Sequence, residues 1–245
     1  MREFEVIAHA ESPLGVLILR RRTAPVPDVI ELTLEHQFLM SSAVTASERE
    51  LATRAIAMHG GSDLDVMIGG LGLGYTTKAA LDSDRVERVE VVELVQGIID
   101  WVATGVIPLG IELMADARLH LIQDDVFERL RSPPTRTHDL LLIDVDHSPD
   151  ERLGESSDSF YAHINLVLAA QHLKPGGVLG VWSTSENPAF EAELRKTFED
   201  VRVEPIEFFN ETVGRPETNW LFLARTLSGS GASTHASFRP LRNAQ

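Results

Sequence analysis

The chain has 245 residues, 43% of them hydrophobic and 24% charged, the balance of a soluble globular protein with room for one large domain or a main domain and a small companion. It contains no cysteine, which excludes disulfides, thiolate zinc sites and cysteine nucleophiles and leaves carboxylates, histidines, hydroxyls or a cofactor to carry any chemistry. A formal charge of −15 argues against nucleic acid as a partner and suits a small cationic ligand.

Residues 1–60 read as a small N-terminal antiparallel β domain with a linking helix. Short apolar or alternating runs at Phe4 to His9, Gly15 to Arg20, Val29 to Leu34 and Gln37 to Met40 are separated by Pro13, Pro25, Pro27 and Asp28. A helix is expected from about Thr45, because Thr45 with Glu48 and Ser47 with Glu50 have capping-box spacing, and Gly60 and Gly61 stop it. No apolar run approaches the ~20 residues of a membrane span, and the N-terminus lacks the apolar core of a signal peptide. The expectation is therefore a cytoplasmic protein with no membrane partner.

Residues 61–227 alternate strands with helices, the pattern of a Rossmann-like, doubly wound, mostly parallel α/β sheet. Leu64 to Thr77, LDVMIGGLGLGYTT, is a strand running into Gly69, Gly70, Gly72 and Gly74 and then a helix. Glycines let the backbone approach a ligand and take positive φ, and their spacing departs from G-x-G-x-x-G, closer to a sulfonium-nucleoside loop than to a pyrophosphate grip. VERVEVVEL follows as a strand ending in Glu93, VQGIIDWVAT as a helix, and Arg118 to Gln123 as a strand meeting Asp124 and Asp125. VFERLR is a short helix and HDLLLIDVD a strand whose Leu140 to Ile143 run into Asp144 and Asp146. A helix is expected from about Ser159 to Leu173, ended by Lys174, Pro175, Gly176 and Gly177. Then come the strand VLGVWST, the helix AFEAELRKTF, and a closing antiparallel hairpin of VRVEPIEFF and NWLFLART. Residues 228–245, rich in Ser and Gly, read as a disordered tail.

Ligands of doubly wound sheets sit beyond the C-terminal ends of the strands, and here those ends carry the chemistry-bearing residues. Glu93 lies roughly twenty residues past the glycines, the spacing at which an acceptor-only carboxylate meets ribose hydroxyls. Asp125, with Asp124 beside it, stands where an adenine amino group needs an acceptor. Strand alternation puts Asp144 and Asp146 on one side, and two close carboxylates require a cation or a shared proton. His147, in the loop beyond, is a candidate contact to substrate. No HxxxH or HExxH spacing occurs among the nine histidines, so no metal is expected, and no G-x-S-x-G supports a serine hydrolase.

The succession GGLGLGYT, VVEL, a D-D pair, LLIDVDHSP, FY and KPGGV resembles the spermidine synthases, the polyamine aminopropyltransferases, relatives of the class I S-adenosylmethionine-dependent methyltransferases. The resemblance covers residues 4 to 226 and includes the small β domain, with Gln37 of EHQFLMSS where the family has a glutamine near the cofactor. It implies that Gly69, Gly70, Gly72 and Gly74 line the sulfonium nucleoside of decarboxylated S-adenosylmethionine, that Glu93 binds its ribose and that Asp124 or Asp125 binds its adenine. It further implies that Asp144, helped by Asp146, takes the proton of an attacking amine, and the expected assembly is a homodimer. The family aspartate that holds the donor's amine is replaced by Gly72, the second aspartate of D-S-x-D-P is shifted to Asp146, and the tyrosine of the gatekeeping helix is missing from TASERELATRA. Aminopropyl transfer, methyl transfer from intact S-adenosylmethionine, and nucleoside binding without catalysis therefore all remain open readings.

Overall fold

The computed structural model describes residues 4–23, 28–35, 37–145, 147–151, 153, 160–211 and 214–228. The first four strands, β1 (Phe4–Ser12), β2 (Gly15–Arg22), β3 (Val29–Leu34) and β4 (Gln37–Ser41), form an antiparallel sheet in sequence order. Helix α1 (Ala46–His59) leads from it onto the larger sheet. Then follow β5 (Leu64–Gly69), α2 (Tyr75–Leu81), β6 (Val86–Glu93), α3 (Gln96–Ala103), α4 (Gly110–Met114), β7 (Leu119–Gln123), α5 (Val126–Arg131) and β8 (His138–Ile143). The chain continues with α6 (His163–Gln171), β9 (Leu173–Ser183), α7 (Pro188–Leu194), β10 (Asp200–Asn210) and β11 (Arg215–Arg225).

The larger sheet has seven strands in the order β10-β11-β9-β8-β5-β6-β7, parallel from β9 to β7 and antiparallel at the β10–β11 hairpin. Every residue of β5 is buried, as expected of a central parallel strand covered on both faces. One apolar cluster joins Leu19 and Leu32 of the small sheet to Leu51 of α1 and to Val66 and Ile68 of β5. On the opposite face of the larger sheet, Phe127, Phe160, Tyr161, Phe190 and Phe222 form a chain of ring contacts 5.0 to 5.2 Å apart. Among the described residues no helix is long and apolar enough to cross a membrane.

Three expectations need correction. α1 begins after Thr45, but Thr45 makes no side-chain cap, Ser47 lies inside the helix and Glu50 pairs with Arg54 across one turn, so neither capping box forms. β9 starts at Leu173, where Lys174 to Gly177 were expected to be only a helix stop; pairing of Leu173 with His138, across an irregular step, begins the strand before the glycines. β8 ends at Ile143, so strand alternation does not extend to Asp144, and Asp146 lies outside the described residues. The tail expected to be disordered falls outside them from residue 229 onward.

Candidate functional site

β6 and β7 extend the sheet on one side of β5 and β8 and β9 on the other, so the direction of sheet growth reverses between β5 and β8 and a crevice opens at their C-terminal ends. The Asp144 N–H donates to the Gly69 carbonyl at 2.9 Å and brings the end of β8 against the glycine turn. At Gly70, φ is 93° and a Cβ would stand 2.3 Å from the Asp144 carbonyl oxygen, so only glycine closes this contact. At Gly72, φ is 49° and a Cβ would stand 2.6 Å from Sδ of Met40, whose sulfur also accepts the Leu73 N–H at 3.3 Å. The small sheet is thus seated directly on the loop. Gly69 is a glycine for packing, since a Cβ there would meet Val126 at 2.8 Å, and Gly74, at φ 92°, takes the left-handed conformation that starts α2.

Between the small sheet and these strand ends lies a cavity of about 510 Å³, a size ordinary for a small-molecule site. Gly70, Gly72, Glu93, Asp125, Asp144 and His147 line it. Gln37, at the exposed start of β4, does not, nor do Gly69, Gly74 and the exposed Asp124. Glu93 is buried, accepting the Leu71 N–H on Oε2 and the Val95 N–H on Oε1, each at 2.8 Å. The carboxyl therefore ties the glycine turn to the start of α3. Burial raises its pKa, against the lowering effect of these N–H groups. Asp125 caps α5, its Oδ1 accepting from Phe127 and Glu128 at 2.9 and 3.2 Å, and Asp124 accepts the Asp125 N–H at 2.9 Å. The His147 carbonyl accepts from the Thr184 N–H at 2.7 Å and hydroxyl at 2.9 Å, which fixes this loop to the end of β9.

Of the expected acidic pair Asp144 is described, and a second carboxyl, that of Glu48, shares its cavity. Asp144 accepts a hydrogen bond from the Thr76 hydroxyl at 2.6 Å, and among the described residues no lysine or arginine forms an ion pair with it. Burial pushes its pKa up to about 6. Glu48, 7% exposed on the first turn of α1, lines the same cavity. Burial pushes its pKa up to about 7, and the charge of Asp144 adds to the rise. The Ser47 hydroxyl donates to Glu48 Oε2 at 2.8 Å and accepts from Asn219 Nδ2 at 2.8 Å, linking α1 to β11. Glu48 was not among the residues expected here, because its spacing from Thr45 carries the local signal of a cap. On the β9 wall Trp182 lines the cavity, and its Nε1–H is buried without a partner among the described residues.

No family model matches the chain. Over 128 residues it is 32% identical to polyamine aminopropyltransferase 2 of Streptomyces coelicolor, an alignment covering 50% of this chain and 22% of that protein. Over 172 residues it is 24% identical to a polyamine aminopropyltransferase of Prochlorococcus marinus, covering 70% of this chain and 56% of the relative. The chain thus spans less than two thirds of the length of these curated relatives. Among solved structures, spermidine synthase of Thermotoga maritima superposes with a TM-score of 0.70 at 16% identity, and a spermidine synthase in complex with the transition state analogue AdoDATO with 0.68 at 16%. Each superposition covers 90% of this chain and 72% of the other. The small antiparallel sheet, the mostly parallel seven-stranded sheet and its C-terminal hairpin are the spermidine synthase fold.

Proposed function

We propose, from the premise that this chain is a distant relative of the spermidine synthases, the polyamine aminopropyltransferases, that it is a transferase moving an aminopropyl group from decarboxylated S-adenosylmethionine to an amine. The observation that carries this reading is the half-buried carboxyl of Asp144, at the reversal point of the sheet, facing a cavity it shares with the glycine turn and Glu93. A carboxyl with a pKa near 6 is ionised at neutral pH yet basic enough to accept a proton.

In this reading Gly70, Gly72 and Glu93 hold the nucleoside and Asp125 its base, while Asp144 meets the ammonium group of the acceptor. The bound donor supplies an activated carbon–sulfur bond. Asp144 accepts one ammonium proton, the freed nitrogen lone pair forms the new carbon–nitrogen bond, and the electrons of the broken bond leave with sulfur. The product amine stays protonated. The cavity walls exclude water and align the nitrogen with the carbon. His147 belongs to the acceptor side of the proposal, and the same reading takes the protein to be a cytoplasmic homodimer that uses no metal.

Methyl transfer from intact S-adenosylmethionine is a second reading, favoured by one observation. Where the related enzymes carry an aspartate for the donor's amine, this chain has Gly72 covered by the Met40 sulfur, so the loop presents no carboxylate to repel a methionine carboxylate. Incubation with each donor and a panel of di- and polyamines separates the two. Methylthioadenosine is expected from the decarboxylated donor. S-adenosylhomocysteine from the intact donor would favour methyl transfer, and nucleoside binding with no product would favour a non-catalytic homologue.

A further inference from the structure

We infer that Glu48 and Asp144 form a joint receptor for one protonated amine, with Glu48 a substrate-binding carboxyl that the sequence motifs do not reveal. The inference rests on the transferase reading above. Both side chains face the same cavity, Glu48 from α1 and Asp144 from the end of β8. Between these elements stands Thr76 of α2, whose hydroxyl oxygen is 2.6 Å from Asp144 Oδ2 and 3.1 Å from the Glu48 carbonyl oxygen. The two acids have little else to bond. Glu48 takes one serine hydroxyl and Asp144 one threonine hydroxyl.

The charged and titratable groups around Glu48 are Asp144, Arg49 and Tyr75. Arg49 is directed elsewhere: its guanidinium carbon lies 4.9 Å from the centre of the Tyr75 ring and its Nε donates to Thr45 at 3.3 Å. A buried and a half-buried carboxyl facing one cavity without a paired cation are costly to ionise together. A primary ammonium supplies what is missing. It brings one positive charge and three N–H donors, enough to bond both carboxyls at once. A purely structural Glu48 would serve to hold Ser47 and, through it, Asn219 of the hairpin. Glutamine has the same shape and an acceptor oxygen, so it preserves that link and removes only the charge.

The test uses the full chain, methylthioadenosine as the nucleoside probe and 1,4-diaminobutane as the amine probe, with calorimetric affinities measured at pH 8 for the wild type and Glu48→Gln. The inference expects amine affinity in the presence of methylthioadenosine to fall about tenfold or more in Glu48→Gln, the loss of a charge-assisted bond, while methylthioadenosine affinity stays within about threefold. If Glu48→Gln does not fold, Glu48→Asp gives the second measurement: it keeps the charge but shortens its reach, and the same selective loss of amine affinity is expected to a smaller extent. Equal amine binding by variant and wild type, or no amine binding by a wild type that binds methylthioadenosine, would overturn the inference alone. A wild type that does not bind methylthioadenosine would overturn the transferase reading and this inference with it.

Discussion

The two ends of the larger sheet are both acidic, and they treat their acids in opposite ways. At the end where the parallel strands begin, Asp65 pairs with His138 at 2.8 Å and with Arg136, and Asp139 pairs with Lys174 at 2.7 Å. Burial alone would raise Asp65, but the neighbouring His138 and Arg136 more than offset it and hold its carboxyl below the usual range. At the end where those strands finish, Glu48, Glu93 and Asp144 form no ion pair with lysine or arginine among the described residues, and burial raises all three. The comparison teaches that the paired end is built for stability while the other carries an uncompensated electrostatic cost. Such a cost is what a site for a cation looks like before the cation arrives.

The largest effect should come from Asp144. If transfer is as proposed, Asp144→Asn lowers its rate by roughly 10² to 10⁴, while methylthioadenosine affinity measured by calorimetry changes little; unchanged turnover would remove Asp144 from the mechanism.

The paired end should answer in stability. Asp65→Asn leaves His138 and the partly exposed Arg136 without their partner and is expected to cost about 3 kcal/mol in urea unfolding at neutral pH. The sign with pH follows from linkage: a depressed carboxyl contributes stability above its unfolded pKa and loses it as pH falls through its folded pKa, so the deficit of the variant should shrink in acid. A loss that is independent of pH would break the comparison at this end.

Asp144 should show the reverse sign. Its folded pKa, about 6, lies above the ordinary 3.8, so the folded state gains protons relative to the unfolded chain and loses stability as pH rises between those values. Asp144→Asn should therefore be more stable than the wild type at pH 8, on the order of 2 kcal/mol, and the advantage should vanish near pH 4. The smallest effect is expected from Trp182→Phe, which removes a buried donor that has no partner among the described residues and should leave stability within about 0.5 kcal/mol. A loss of nucleoside or amine affinity in that variant would show that the indole N–H meets the ligand.

Much of this architecture was legible because its signals are local. The glycine run after an apolar strand, Glu93 as the last residue of its strand and Asp144 just beyond another can be read from alternation and turn chemistry alone. The features that escaped depend on tertiary contact. Glu48 sits at cap spacing from Thr45, and only the packing of α1 onto the sheet turns its side chain toward Asp144. α4, five residues long, is too short to present a helical period. Met40 belongs to an unremarkable strand, and its contact with Gly72 exists only because the small sheet folds back onto the loop.

The pH profile of kcat/KM for the amine tests the central claim most directly, that an unpaired carboxyl at this end of the sheet receives the acceptor's proton. The account predicts that kcat/KM falls as pH drops below about 7, where first Glu48 and then, near 6, Asp144 take up protons, and that Asp144→Asn lacks the limb near 6. A wild-type profile that stays flat from pH 7 to pH 5 would contradict it.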